Sequence, residues 1–364
     1  MSPIKLAIID DGINQANIPP GIIYECHTAD KHGVKPDTPL TAESHGSACY
    51  SLIQKNTSTP HKLISIAVLD HETGTGNHMA LLSALKWCAG QNIDLINMSI
   101  GTRQFSDFAA IAEAIGNLPD TIIVAACSNQ NELTFPACLP SVIGVRHCDR
   151  EELRGKHIFI QNPYDQIEVK TNAADENDYG SNSHAAPIIT ARCLDLLHQG
   201  YRGIDAIRQK LKTDAITDTG FVGKDFYKGL SPNWSEVESP IVAIVDDGIK
   251  STEVLKKLLS MFMDDGYRAA ALSANHETSA GDFIFRLFWS GTGEAGTSEL
   301  IELYYNFILP DILFLHMNYN DIISLSGETA ADVIIGEHLE EHENVICLSQ
   351  PAEVIFERIK NFFV

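Results

Sequence analysis

Short apolar runs alternate with amphipathic stretches over the first 215 residues of the chain. The runs at 6–9, 63–69, 93–98, 121–126 and 142–145 are almost continuously apolar, which predicts strands buried on both faces. The stretches at 79–88, 108–115, 188–197 and 204–211 repeat apolar positions at helical spacing, which predicts helices between those strands. This alternation predicts an α/β fold built on a doubly wound parallel sheet, with helices on both faces.

The alternating pattern fades between residues 221 and 240 and returns at residue 241. Glycine, serine and proline are frequent in the fading stretch, which is typical of a linker. Beyond it, an apolar run at 241–245 is followed by predicted strands at 268–273, 312–316, 332–335 and 345–348 and predicted helices at 253–264, 299–307 and 352–363. We therefore expect a domain at 1–220, a linker at 221–240 and a smaller, Rossmann-like α/β accessory domain at 241–364.

The charge of the chain narrows the choice of partners. Its 48 acidic and 26 basic residues give a formal charge of −22. The stretch 241–364 holds 20 of the acidic and 7 of the basic residues, so it is the more acidic part. Nucleic acids and anionic membrane surfaces attract basic patches, so the balance argues against both as partners. No apolar run approaches the ~20 residues that a membrane-spanning helix needs.

The cysteines and the first residues of the chain predict its compartment. Eight cysteines are present without paired spacing and without a Cys-x-x-Cys motif, which is typical of reduced thiols. The first strand follows Ser2-Pro3-Ile4-Lys5 directly, with no pattern of a signal peptide or pro-segment before it. We therefore expect a cytoplasmic protein that folds unaided.

Three segments carry residues suited to nucleophilic catalysis. Asp10 ends the first apolar run, His45 opens a helix-like stretch, and Ser183 lies just before another predicted helix. A serine hydroxyl is a poor nucleophile until a base takes its proton, and the base needs a carboxylate to orient it. Acyl transfer is therefore the leading hypothesis. The simpler alternatives stay open: Ser183 could merely cap its helix, and His45 is one of fourteen histidines.

Around these residues, over about residues 4–215, the chain resembles the subtilisin-like serine proteases (subtilases). Asp10-Asp11-Gly12, His45-Gly46-Ser47 and the segment Ser181 to Pro187 resemble the three boxes that carry the family's Asp-His-Ser triad, in the family's order. The stretches 96–101 and 135–143 resemble the substrate-pairing strand and the segment near the specificity pocket. Asn129 occupies the place of the family's oxyanion-hole asparagine. Several matching boxes in one order make the resemblance specific.

The resemblance implies a role for each site residue. It implies a serine endopeptidase that needs no cofactor or metal and cleaves a peptide or protein held in extended conformation. Neighbouring strand residues point to opposite faces, so only one of Asp10 and Asp11 can orient His45, and the resemblance to the family selects Asp10. The catalytic set would be Asp10, His45, Ser183 and Asn129, and the substrate-binding set Ser99, Ile100, Gly101, Ala125, Ala126, Cys127 and Phe135. The chain departs from the family at Ser181, Asn182 and His184, which stand where Gly, Thr and Met are usual.

The missing pro-segment and the appended domain favour a dedicated task over bulk digestion. We expect the enzyme to trim the leader of a ribosomally made precursor peptide, with the second domain recruiting the precursor or a partner enzyme. The altered turn before Ser183 favours the alternative, a catalytically impaired scaffold or binding protein in a peptide maturation complex.

Two further motifs are weaker. Gly248-Ile249-Lys250-Ser251-Thr252 resembles a degenerate phosphate-binding loop. The glycine-containing loop whose backbone amides surround the phosphates is missing, however, and apolar strand residues and two aspartates stand in its place. An interaction domain is therefore the preferred interpretation over a nucleotide-binding one. The stretch from His338 to His342 fits a His-x-x-Glu-His zinc pattern, yet it is polar and sits beside a turn, so we expect a solvated segment and no metal.

Overall fold

The computed structural model describes residues 3–130, 132–160, 167–174, 180–216, 239–275, 282–287, 297–325, 331–337, 339 and 344–363. The chain divides into two compact units, one of Met1–Arg103 with Asp107–Thr217 and the other of Gln104–Ser106 with Asp218–Val364. The linker predicted at 221–240 lies outside the described residues except for Ser239 and Pro240.

A mainly parallel sheet forms the centre of the first unit. Its strands are β1 (Ile4–Asp10), β2 (Ile23–Asp30), β3 (Gly33–Pro36), β4 (His61–Ala67), β5 (Leu95–Met98), β6 (Ile122–Ala126), β7 (Ile143–His147), β8 (Ile158–Phe159) and β9 (Val169–Thr171). Within the described residues they are ordered β3-β2-β4-β1-β5-β6-β7-β9-β8. The β2–β3 and β8–β9 pairs, which include both edges of the sheet, are antiparallel, and the other neighbours are parallel.

Helices bury both faces of this sheet. They are α1 (His45–Asn56), α2 (His78–Ala89), α3 (Phe108–Gly116), α4 (Asn182–His198) and α5 (Ile204–Asp214). On β1, Leu6 and Ile8 pack in one core with residues of α1 and α4. Ala7 and Ile9 point to the opposite face and are equally buried. The predicted fold class, a doubly wound α/β sheet, is confirmed.

Helix α4 begins earlier than the apolar spacing at 188–197 predicted. Its first residue is Asn182, and the side chain of Ser181 caps it by accepting a hydrogen bond from the His184 N–H. Pro187 lies inside the helix. The first turn of α4 therefore contains Ser183 itself.

The second unit is also a parallel α/β structure. Its strands are β10 (Ile241–Val245), β11 (Ala269–Ser273), β12 (Ile284–Arg286), β13 (Ile312–Met317), β14 (Val333–Gly336) and β15 (Val345–Cys347), ordered β12-β11-β13-β10-β14-β15 among the described residues. Its helices are α6 (Ile249–Asp264), α7 (Thr297–Ile308), α8 (Tyr319–Leu325) and α9 (Ala352–Phe363). Apolar residues of α6 and α9 share one core with β10, β11 and β13.

Candidate active site

The candidate residues gather at the carboxyl ends of neighbouring strands. Asp10 is the last residue of β1, Ser99 directly follows β5, and Asn129 lies three residues beyond β6. Strands β1, β5 and β6 are adjacent and parallel, so these ends meet at one edge of the sheet. Ligand sites in open α/β sheets lie at this edge.

Asp10 and His45 form a close pair. The Nδ1 atom of His45 lies 2.9 Å from Oδ1 and 3.0 Å from Oδ2 of Asp10. Asp10 is almost fully buried, whereas the His45 side chain keeps 35% of its surface exposed. A carboxylate in this position holds the imidazole with Nδ1 protonated, which leaves Nε2 free to accept a proton from a nucleophile.

Asp11 holds the start of α1 in place. Its Oδ2 accepts from the backbone N–H of His45 at 2.9 Å, and its Oδ1 accepts from that of Gly46 at 2.8 Å. Gly46 must lack a side chain, because a Cβ there would lie 2.4 Å from the Gly12 carbonyl oxygen. The two adjacent aspartates therefore divide the work: Asp10 contacts the imidazole, and Asp11 fixes the backbone that carries it.

The pair binds a proton more tightly than a free histidine does. The hydrogen bond that His45 Nδ1 donates to the Asp10 carboxylate raises the pKa of His45 to about 11, and the Cys49 thiol acts in the same direction. Burial raises the pKa of Asp10, while the His45 contact opposes that rise. Burial also raises the pKa of the Cys49 thiol, which keeps it neutral. His45 therefore becomes a neutral base only at a higher pH than a free histidine does.

Ser183 lies in the same cluster. The Sγ atom of Cys49 is 3.8 Å from His45 Nδ1 and 3.9 Å from the Ser183 carbonyl oxygen. His45 Nδ1 and the Ser183 carbonyl oxygen are therefore within about 8 Å of each other. The ring of His184, the next residue, stacks on the His45 ring with centroids 5.9 Å apart. The Ser183 hydroxyl lies 3.0 Å from the Ser181 hydroxyl. The structure thus gathers the three segments that sequence singled out.

The side-chain oxygen of Asn129, rather than its amide nitrogen, faces the backbone of Ser183. Its Oδ1 accepts from the Asn182 N–H at 3.0 Å and lies 3.4 Å from the Ser183 N–H. Asn182, one of the departures from the family pattern, ties the turn further: its Oδ1 accepts from the His147 N–H, and its amide donates to the Ser128 carbonyl. The sequence predicted Asn129 as a donor to the oxyanion. In this structure its oxygen instead faces the other expected donor.

The substrate-binding residues fall into two groups. Beside the buried Ser99, Ile100 is half-buried and Gly101 is exposed, and Thr102 pairs with Phe135 through two backbone hydrogen bonds of 2.9 Å. The other predicted residues are buried: Ala125, Ala126, Cys127 and Phe135 have at most 4% of their surface exposed. Phe135 packs edge-on against Phe108 rather than facing solvent.

Cys49 is the site residue that sequence reasoning missed. It is fully buried under the pair, with Sγ 3.9 Å from Asp10 Oδ2 and 3.3 Å from Ser99 Oγ. The signal was available, because residue i+4 of a helix lies on the same face as residue i. Cys49 follows His45 by four residues in α1.

One group among the described residues has the composition of a metal site. The ligand atoms of Asp10, His45 and Cys49 lie within 4.8 Å of one another. The same atoms hold His45 in the arrangement that acyl transfer needs, so an ion there would compete with that role. The zinc-like stretch from His338 to His342 lies outside the described residues except for Leu339. No helix in the described part of the chain is both long and apolar enough to cross a membrane.

Comparison with known proteins places the chain in a family. The model of the subtilase family matches residues 2–227, and the chain belongs to that family. It is similar to subtilisin amylosacchariticus from Bacillus subtilis subsp. amylosacchariticus, with 23% identity over 253 residues that cover 63% of each protein. It is also similar to the major intracellular serine protease of Bacillus subtilis (strain 168), with 26% identity over 161 residues that cover 39% of this chain and 50% of the relative.

Among solved structures, a cold adapted subtilisin-like serine proteinase has a TM-score of 0.43 and 20% identity, covering 58% of this chain and 81% of that one. The chain spans less than two thirds of the length of the two curated relatives.

Proposed function

We propose that this chain is a serine endopeptidase. Ser183 attacks the carbonyl carbon of a peptide bond, and His45 takes the hydroxyl proton and later gives it to the leaving amine. The peptide becomes an acyl-enzyme ester on Ser183, which water then hydrolyses. The observation that carries the proposal is that both carboxylate oxygens of Asp10 lie within hydrogen-bond distance of His45 Nδ1, in the cluster that contains Ser183.

The proposed substrate is an extended peptide. The backbone of Ser99, Ile100 and Gly101 would pair with it as an added strand, since peptide recognition of this kind uses main-chain groups. Gly101 is exposed, and a Cβ there would lie 2.6 Å from the Phe135 carbonyl oxygen, so the substrate meets bare backbone at this point. The buried residues Ala125, Ala126, Cys127 and Phe135 would support the wall beside it and set side-chain preference.

The test is covalent labelling with a fluorophosphonate probe, followed by mass-spectrometric mapping. The full chain should be labelled on Ser183, and Ser183→Ala should abolish both labelling and peptide cleavage. Ser51→Ala is a matched control, because Ser51 lies on α1 and its hydroxyl donates to the Ser47 carbonyl oxygen at 2.9 Å and accepts from the Asn17 amide at 3.5 Å, and neither partner belongs to the proposed catalytic set. Equal labelling of Ser183→Ala and the wild type would refute Ser183 as the nucleophile.

The finer proposal is an intracellular enzyme that trims the leader of a ribosomally made precursor. All eight cysteines are free thiols, which suits a reducing compartment, and the similarity to an intracellular serine protease is in keeping with it. The separate, acidic second unit would recruit the precursor or a partner enzyme. A proteome-derived peptide library tests the idea: leader trimming predicts cleavage at a narrow set of sequences, and broad digestion would contradict it.

One observation favours a second candidate, a non-catalytic scaffold on the same fold. The Asn129 oxygen faces the Ser183 N–H, so the two expected oxyanion donors do not point at a common position. An oxyanion hole needs both donors aimed where negative charge develops. A folded wild-type protein that neither reacts with the probe nor cleaves the library would favour the scaffold.

A further inference from the structure

The carbonyl oxygen of Ser183 lacks the usual helical hydrogen-bond donor four residues later. In an α-helix this oxygen accepts from the N–H four residues later. That residue is Pro187, which has no N–H. Only 9% of the surface of Ser183 is exposed, so its carbonyl oxygen needs a hydrogen-bond donor from elsewhere in the protein.

Ser99 supplies that donor. Its hydroxyl donates to the Ser183 carbonyl oxygen at 2.8 Å. The Cys49 thiol lies 3.3 Å from the Ser99 hydroxyl and 3.9 Å from the same carbonyl, as a second and weaker donor. The end of β5 is thus fastened to the first turn of α4 at the nucleophile.

Two further buried side chains hold the Ser99 hydroxyl in its place. The Asn97 amide donates to it at 3.3 Å, which leaves the hydroxyl proton for the Ser183 carbonyl. The Thr190 hydroxyl lies 2.8 Å from Asn97 Oδ1 and 3.0 Å from the Ala186 carbonyl oxygen. Asn97 and Thr190 are both fully buried. A chain of polar contacts therefore runs from Thr190 in the third turn of α4, through β5, back to the first turn of α4.

We propose that Ser99 is a positioning residue for the nucleophile, held by Asn97 and Thr190, and that Pro187 makes this tether necessary. The proposal rests on the proposed function. Ser183 contributes both the attacking hydroxyl and a backbone oxyanion donor, so fixing its carbonyl fixes both groups together. Ser99 thereby has a second role besides the pairing of its backbone with substrate, and its side chain acts through Ser183 without touching the reacting atoms.

The first test is the effect of Ser99→Ala on peptide cleavage. We expect kcat to fall by about tenfold or more, because small displacements of a nucleophile slow the chemical step, while KM changes less than about twofold. Ser99→Thr keeps the hydroxyl and should retain most of the wild-type kcat. Thr121→Val is the matched control, because it removes a buried hydroxyl-to-carbonyl bond of 2.8 Å to Ile93. Thr121 directly precedes β6, at the amino ends of the strands and so at the opposite end of the sheet from the site.

The second test restores the missing helical donor. Pro187→Ala provides an N–H that can take the Ser183 carbonyl, so Ser99→Ala should cost less than about twofold in kcat in that background. An unchanged kcat in Ser99→Ala, or an equal loss with and without Pro187, would overturn the proposal. A loss as large in Thr121→Val would overturn it as well, since it would trace the effect to general stability.

Amide hydrogen exchange separates this inference from the proposed function. Without its tether, the first turn of α4 should open more readily, so amides 184–186 should exchange faster in Ser99→Ala than in the wild type or Thr121→Val. If the wild type proves inactive, the endopeptidase proposal falls, and the exchange data still decide whether Ser99 holds Ser183. Unchanged exchange at amides 184–186 in Ser99→Ala would refute the proposal that Ser99 holds Ser183.

Discussion

Asp10 offers both carboxylate oxygens to a single nitrogen of His45, at 2.9 and 3.0 Å from Nδ1. The carboxylate comes from the end of a strand and the imidazole from the start of a helix 35 residues later. This grip fixes the tautomer that catalysis needs, yet it also stabilises the protonated ring, which cannot act as a base. The same contact therefore orients His45 and sets the pH at which it can work.

The first prediction concerns the pH dependence of cleavage. Because the Asp10 contact raises the pKa of His45, the acidic limb of kcat/KM should lie above the ~6.5 of a free histidine. In Asp10→Asn the largest cause of the rise is gone, so the limb should move to lower pH. The residual rate should fall by roughly four orders of magnitude, because the ring loses its orienting carboxylate. Rates measured from pH 5 to 10 check this, and a limb unmoved by Asp10→Asn would contradict it.

The second prediction concerns Cys49. Its thiol contributes to the raised pKa of His45, so Cys49→Ala should shift the acidic limb of kcat/KM to lower pH, by less than Asp10→Asn does. Cys88→Ala is the matched control: it also removes a fully buried thiol from a helix, but Cys88 lies on α2 and has only burial acting on its pKa. Equal shifts in the two variants would show that the effect of Cys49 is not local.

The third prediction concerns Asn129. For the amide to donate to an oxyanion, its side chain must turn from the orientation in which Oδ1 faces the Ser183 N–H. If substrate drives that turn, Asn129→Ala should lower kcat by about two to three orders of magnitude with little change in KM. Asn117→Ala removes an exposed asparagine at the end of α3 and should leave kcat unaltered. Faster probe labelling of Asn129→Ala would instead show that the asparagine blocks the site.

The fourth prediction separates stability from catalysis at the start of α1. Asp11→Ala removes the acceptor for two helix N-terminal amides and should lower the free energy of unfolding by about 1–2 kcal/mol. It should also lower kcat by about tenfold, because one of those amides belongs to His45. Asn77→Ala removes the comparable cap of α2, 2.9 Å from the Ala80 N–H, and should reduce stability alone. Urea unfolding and steady-state kinetics on both variants provide the comparison.

Sequence reasoning succeeded where burial is continuous along the chain. The strands β1, β4, β5, β6 and β7 carry apolar runs because helices cover both faces of the sheet, and each was predicted. The strand β2 was not, because its residues are half-buried and include Tyr24, Glu25 and His27, so its pattern matches neither template. Its neighbour β3 and the short β8 and β9 at the far edge were missed as well, having only two to four residues each.

The candidate site divides in a similar way. Asp10, His45 and Ser183 were found because each lies in a distinctive local sequence. The tether from Ser99 to Ser183 joins residues 84 positions apart, and neither local sequence records it. The direction in which Asn129 points is a side-chain torsion, which a residue's identity does not determine. Partnerships across the fold and side-chain orientation are therefore the parts that needed the structure.

In the second unit, the loop that resembles a phosphate-binding loop is already occupied by its own side chains. Asp246 accepts from the Gly248 N–H at 2.9 Å, and Asp247 accepts from the Ser251 N–H at 2.9 Å. These amides are the groups that a phosphate would use at a helix N-terminus. The hydroxyl of the fully buried Ser251 lies 2.9 Å from Nε2 of His316, so it too is engaged.

The last prediction follows from that occupancy. Millimolar ATP or GTP with magnesium should not shift the melting temperature of the full chain, because a ligand that binds only the folded state must raise it. Two carboxylates at the helix N-terminus would repel the phosphates, and they already accept from the amides that a phosphate would need. Asp246→Asn with Asp247→Asn removes the repulsion and serves as the comparison. A shift in the wild type that disappears in Ser251→Ala would show instead that this loop binds nucleotide and that the aspartates move aside.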